Sequence, residues 1–201
     1  MNDDCQLLAT ALDVPADAMK GALDHAGGLV GLWHGRGESL GEALPSAARD
    51  RLDAWLELTD RALAALPPPS RIEGSMDVAT HFKLRLGLQP AESFWVLLLD
   101  AHSRVIGEHR VAEGTLTACL VHPREVFAPA IRHRASHVVL VHNHPSGDPT
   151  PSEEDLALTE RLTEAGQMIG IPVVDHVIVA RTGFRSVGVA QTPLRRRRSI
   201  G

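Results

Sequence analysis

One short run constrains this chain more than any other: "FWVLLL" at Phe94–Leu99. Six successive apolar residues do not alternate, so a strand built from them has no face to offer to water. Such a strand belongs in a sheet covered on both sides. "HVVLVH" at His137–His142 reads as a second buried strand. Val105–Val111, Thr115–Val121, Val173–Ala180 and Phe184–Ala190 read as further strands. The cover comes from segments whose apolar residues follow the helical period. "MDVATHFKLRLG" directs Val78, Phe82 and Leu86 inward. "PREVFAPAIRHRA" opens with a proline and carries Val126, Phe127 and Ile131 at helical spacing. Thr150–Ile169 forms a third helix, with Leu158, Leu162, Ala165 and Ile169 inward. The expected fold class is α/β, a mixed sheet flanked by helices.

The first third of the chain differs. Residues 1–66 are rich in Ala, Leu and charge, and Leu52, Trp55, Leu56, Leu63 and Leu66 fit helix faces. "PPPS" at Pro67–Ser70 is stiff and stops the last of these helices. The expected organisation is a helical region at 1–66, a linker at 67–75, an α/β domain at 76–192 and a basic tail at 193–201.

A net charge of −5 gives no global basic field to attract nucleic acid. Two cysteines, Cys5 and Cys119, make no disulfide framework and no cysteine metal site, which suits a reducing compartment. The start, "MNDDCQLLATAL", has acids where a signal peptide needs a basic segment, and no apolar run reaches membrane-spanning length. The expectation is a soluble cytoplasmic protein without a membrane partner.

The chemistry gathers in "LVHNHPSGDPTPSEEDL", Leu140–Leu156. His142 and His144 are two apart on an extended segment, so their side chains leave on one face. They sit where a buried strand emerges, a usual place for sites in α/β sheets. Thr150 is a candidate N-cap for the next helix, with Pro151 at its first position and Glu153 at capping-box spacing. On that helix Asp155 and, a turn earlier, Ser152 continue the inward face of Leu158. An inward aspartate needs a partner: backbone amides at the helix start, an arginine, or a metal. Two imidazoles and one carboxylate make a three-ligand zinc set with a fourth position open, the arrangement of catalytic zinc. Asn143 points to the other face and is expected to bond loop backbone. Asp175 and His176 interrupt a buried strand, where a histidine is either a satisfied core group or a partner that orients a ligand.

"HNHPSGDPTPSEED" resembles the metal-binding signature of the MPN/JAMM metallohydrolases. With "VHPREVF" and "IGIPVVDHVIV", the stretch Ser70–Ala190 resembles more narrowly the RadC family, long labelled DNA-repair proteins. The resemblance implies an MPN/JAMM fold, which is cytidine-deaminase-like. It also implies one zinc per chain held by His142, His144 and Asp155, with Ser152 stabilising an oxyanion. It further implies an upstream glutamate as general base. Glu92 in "AESFWVLLLD" matches that position, although local pattern alone reads it as a solvated strand end. His122 and Glu125 match a family block and read as structural or as the site's rim. The P-C-x-x-C of the zinc deaminases is absent.

RadC proteins usually carry an N-terminal helix-hairpin-helix whose glycines let backbone amides approach phosphate. Here Pro45-Ser46-Ala47-Ala48 stands where a Pro-Gly-x-Gly turn is expected, so the glycine chemistry is missing. The arginines at 195–198 are the only basic run. The leading expectation is a zinc-dependent metallopeptidase or isopeptidase acting on a peptide or protein. The alternatives are a DNA-associated module and a metal-stabilised scaffold without catalysis.

Overall fold

The structure is a computed structural model that describes residues 3–35, 40, 43–114 and 121–189. The chain divides into two compact units, Met1–Leu66 and Pro67–Gly201. The strand expected over Thr115–Val121 and the tail at 193–201 lie, apart from Val121, outside the described residues.

The first unit is helical: α1 (Asp3–Leu12), α2 (Ala16–Ala26), α3 (Leu29–Gly35) and α4 (Ser46–Ala64). Its core joins Leu12, Met19, Leu32, Leu40, Leu52 and Leu56. Only part of the α4 stripe faces that core. Leu52 and Leu56 are buried, whereas Trp55 and Leu66 are exposed, Leu66 because the helix has already ended. Pro45 is the extended N-cap of α4, with no side-chain cap.

The second unit holds α5 (Ser75–Leu86), β1 (Ser93–Leu99), β2 (Val105–Glu113), α6 (Pro123–Arg132), β3 (His137–His144), α7 (Glu153–Ile169), β4 (Val173–Ala180) and β5 (Gly183–Ser186). Among the described residues the sheet runs β2-β1-β3-β4-β5. Only β3 and β4 are parallel, and α7 is the crossover between them. The other pairings are antiparallel, so the sheet is mixed, with helices on its faces.

The apolar run behaves as its composition demands. Phe94, Val96 and Leu98 face α6 and α7, packing with Phe127, Leu140, Leu158 and Leu162. Leu97 and Leu99 face the other way, onto Val78, Phe82 and Leu86 of α5. Both sides of β1 are therefore dry, and a polar residue at any of these positions would lose its water.

Three expectations about helices need correction. Ile131 is exposed, and Ala130 takes the inward place on α6. Ile169 is also exposed, because α7 ends there and Gly170 turns into the left-handed region at φ 80°. The inward stripe of α7 is instead Leu158, Thr159, Leu162 and Gly166, with Ala165 at its margin. Finally, α7 begins at Glu153 rather than Thr150. Thr150 bonds Asp148 Oδ1 through both its amide and its hydroxyl, so its side chain serves the loop and leaves the cap to Ser152.

Candidate metal centre

Strand pairing brings the site's strand residues together. Phe94 pairs with His142 across β1 and β3. Paired residues share a sheet face, so Phe94 lies on the face of both histidines. Glu92 lies two residues ahead of Phe94, just before β1. Its negative charge is among the influences on His144.

Asn143 lies on the opposite face and is fully buried. Its Oδ1 accepts from the Ser93 amide at 2.8 Å and from the Ser93 hydroxyl at 2.9 Å. Its Nδ2 donates to the Ala91 carbonyl at 3.0 Å. The Glu92 carbonyl accepts from the Gly114 amide at 2.9 Å. Both neighbours of Glu92, and its own carbonyl, are thus tied down.

The helix α7 contributes Asp155. Ser152 is its N-cap, and the two form a reciprocal capping box. Asp155 Oδ2 accepts from the Ser152 amide and hydroxyl, both at 2.8 Å. The Asp155 amide donates back to Ser152 Oγ at 3.1 Å. The aspartate therefore caps backbone, and it also reaches the histidines. His142 Nε2 lies 3.1 Å from Asp155 Oδ1, and His144 Nε2 lies 3.3 Å from Oδ2. The two Nε2 atoms are 2.9 Å apart. Among the described residues, His142, His144 and Asp155 are the group of acids, histidines and cysteines whose donor atoms converge in this way.

These spacings fit a small divalent ion. Bonds of about 2.0–2.1 Å at a tetrahedral centre put neighbouring donors about 3.3 Å apart. The proton inventory fits as well. His144 Nδ1 lies 2.8 Å from the Asp148 carbonyl, which can only accept, so this ring proton is on Nδ1. A neutral His144 then turns a bare Nε2 toward Asp155. Hydrogen bonding to Asp155 is the largest influence raising the His144 pKa. Burial opposes ionisation of Asp155, but His142 and His144, which bond it in their protonated forms, outweigh it and hold its carboxyl far below the ordinary range. The cluster thus concentrates negative potential where a cation would sit.

His176 stands behind the cluster and is fully buried. Its Nε2 is 2.8 Å from His142 Nδ1, and its Nδ1 is 2.6 Å from Thr159 Oγ1. Burial pushes its pKa well down. Asp175 is not brought to the site. It accepts from Ser75 and Ser186 hydroxyls, each at 2.6 Å, and from the His176 amide at 2.8 Å, which ties α5 and β5 to β4. His122 is the N-cap of α6, its Nδ1 accepting from the Arg124 amide at 3.2 Å, and Glu125 pairs with Arg124 on the surface. Thr159 was missed at the sequence level. The one signal for it was its place a helical turn after Asp155 on the inward face.

The sequence profile described as the RadC-like JAB domain matches residues 72–192. A UPF0758 protein of Syntrophotalea carbinolica is 48% identical over 137 residues, covering 68% of this chain and 60% of that protein. One from Symbiobacterium thermophilum is 46% identical over 170 residues, covering 82% of this chain and 72% of its own. One from Thermotoga maritima is 46% identical over 136 residues, covering 67% and 61%. The chain therefore spans under two thirds of the length of several of these relatives. The match takes in the sheet, all three helices around it and every residue of the His-His-Asp cluster, and the chain belongs to the RadC-like JAB domain family.

Proposed function

We propose that this protein is a zinc-dependent metallohydrolase, a peptidase or isopeptidase that hydrolyses an amide bond in a peptide or protein substrate. The observation that carries the reading is the convergence of His142 Nε2, His144 Nε2 and Asp155 within 2.9–3.3 Å of one another. Two nitrogens and one carboxylate oxygen suit zinc, and a fourth position stays free for chemistry. When bound there, zinc supplies a Lewis acid that lowers the pKa of coordinated water and polarises a carbonyl.

The chain's own groups do the rest. Glu92, held at both neighbours, accepts a proton from the attacking water and delivers it to the leaving amine. Ser152 is exposed, and its hydroxyl needs only a rotation away from Asp155 Oδ2 to donate to a developing oxyanion. Asp155 stays anchored meanwhile by the Ser152 amide. Zinc, the catalytic roles and the protein substrate rest on the donor set and on the family's resemblance to the MPN/JAMM metallohydrolases.

The test is metal content followed by turnover. Protein purified without chelators is expected to carry about one zinc per chain, and H142A with H144A to carry none. E92Q is expected to keep its zinc and to lose about 10²–10⁴-fold in hydrolysis. Comparing the proteomes of cells with wild type and E92Q identifies the uncleaved substrate. A wild-type protein that binds no zinc overturns the proposal.

A further inference from the structure

Behind the ligand cluster runs a hydrogen-bond circuit that starts on one ligand and ends on another. The Thr159 hydroxyl lies 2.6 Å from the Asp155 carbonyl. That carbonyl can only accept, so the hydroxyl proton is committed to it. Thr159 Oγ1 is also 2.6 Å from His176 Nδ1. With its own proton spent, the hydroxyl accepts, and His176 Nδ1 donates. His176 has no exposed surface and lies against Phe94, their ring centroids 5.5 Å apart. An imidazole so enclosed is neutral and has one ring proton. Its Nε2 is therefore bare and accepts from His142 Nδ1 at 2.8 Å. His142 thus keeps its proton on Nδ1 and turns its Nε2 lone pair toward His144 and Asp155.

We propose that Thr159 and His176 are positioning residues that deliver His142 to the metal in a single tautomer and lock it to the helix that carries Asp155. The proposal rests on the metal-centre reading above. The bond from the Thr159 hydroxyl to the Asp155 carbonyl sets the direction of the circuit, and each step depends on the one before. Thr159 sits one turn after Asp155 on α7, His142 is on β3, and His176 is on β4. The circuit therefore joins the parallel pair and its crossover helix. An ordinary threonine bond to the carbonyl four residues back would end at Thr159. Here the hydroxyl also receives a buried imidazole, and the order extends to a ligand atom.

Two measurements test this. Long-range proton–nitrogen spectra of the metal-free full chain above pH 8 report which His142 nitrogen is protonated. A protonated Nδ1 is expected, and an unprotonated Nδ1 overturns the proposal whether or not zinc binds. The second is zinc affinity by competition with a chromophoric chelator. T159V and H176F are expected to weaken zinc by about 10–100-fold, while T159S, which keeps the hydroxyl, stays close to wild type. Wild-type affinity in both T159V and H176F overturns the positioning role. A wild type that binds no zinc overturns the metal-centre reading instead, and the His142 spectrum still decides the tautomer. If T159V fails to fold, the contrast between H176F and T159S carries the affinity test.

Discussion

Replacing Asn143 by alanine should cost this fold far more than a surface change while leaving the metal ligands in place. The side chain is fully buried and makes three hydrogen bonds to a segment fifty residues away. N143A strands the Ser93 amide and the Ala91 carbonyl. The Ser93 hydroxyl still accepts from Trp95 Nε1 at 3.1 Å, but its own proton loses its acceptor. A stranded buried group costs about 1–3 kcal/mol, and water entering the small void offsets part of it, so the net loss is about 2–4 kcal/mol. With a urea m-value of about 2 kcal/mol/M, the midpoint falls by about 1–2 M. N143D is a sharper probe. An ionised carboxylate sets a second acceptor against the Ala91 carbonyl, whereas a protonated one can donate to it. N143D should therefore recover stability as the pH is lowered through its carboxyl titration. Urea melts of metal-free protein, followed by circular dichroism at pH 5 and 8, read both effects. Zinc content should persist while hydrolysis drops, because Glu92 lies between the two residues that Asn143 holds. A midpoint shift below about 0.3 M for N143A, which is well under 1 kcal/mol, would refute the clamp.

Other consequences can be checked directly. G166A puts a Cβ 2.6 Å from the Ile171 carbonyl and 3.1 Å from the Phe127 ring, so the turn from α7 into β4 and the Phe127 ring must both give way. Overpacking of this kind costs about 1–3 kcal/mol and should lower the urea midpoint accordingly. R85M removes the guanidinium that sits 2.6 Å from Glu108 and 5.0 Å from the Trp95 ring centroid. Glu108 keeps only the largely buried His81, at 2.8 Å, so denaturation should show a loss of about 2–3 kcal/mol. The raised pKa of His144 contributes stability to metal-free protein that falls with rising pH, against the opposite contributions of His109, His137 and His176, whose pKa values burial lowers. Its contribution is complete below the ordinary value of 6.5 and is lost as pH climbs through the higher folded value. Melting at pH 6 and 8 should show it as a difference: the stability that wild type gains over H144A at pH 6 should shrink at pH 8. Zinc affinity should run the opposite way, since the ion displaces that proton.

Much of this was legible in the sequence. The unbroken apolar run from Phe94 to Leu99 required a sheet covered on both faces, and the two cores on either side of β1 follow from it. The i,i+2 spacing of His142 and His144 put them on one face by strand geometry alone, and helical spacing put Asp155 on the inward face of α7. Glu92 was different. Its local pattern is that of a solvated strand end, and only family resemblance singled it out. The pairing of β1 with β3 supplies the physical reason, because it brings the start of β1 beside the end of β3, where the charge of Glu92 acts on His144.

What the sequence could not decide is which neighbour in "VVDHVIV" turns toward the site. Alternation sends Asp175 and His176 to opposite faces, but the assignment depends on register. Val138 pairs with Val173, yet Val139 pairs with Asp175, so β4 carries one extra residue at Val174. Without that bulge the two side chains would exchange faces, and Asp175 would point toward His142. The same holds for the start of α7. Capping-box spacing to Glu153 named Thr150 as the cap, but the Asp148 loop claims it and Ser152 caps the helix instead. Local periodicity thus names the residues available to each face. Long-range pairing and one inserted residue choose among them, because a shift of one position along a strand reverses every side chain.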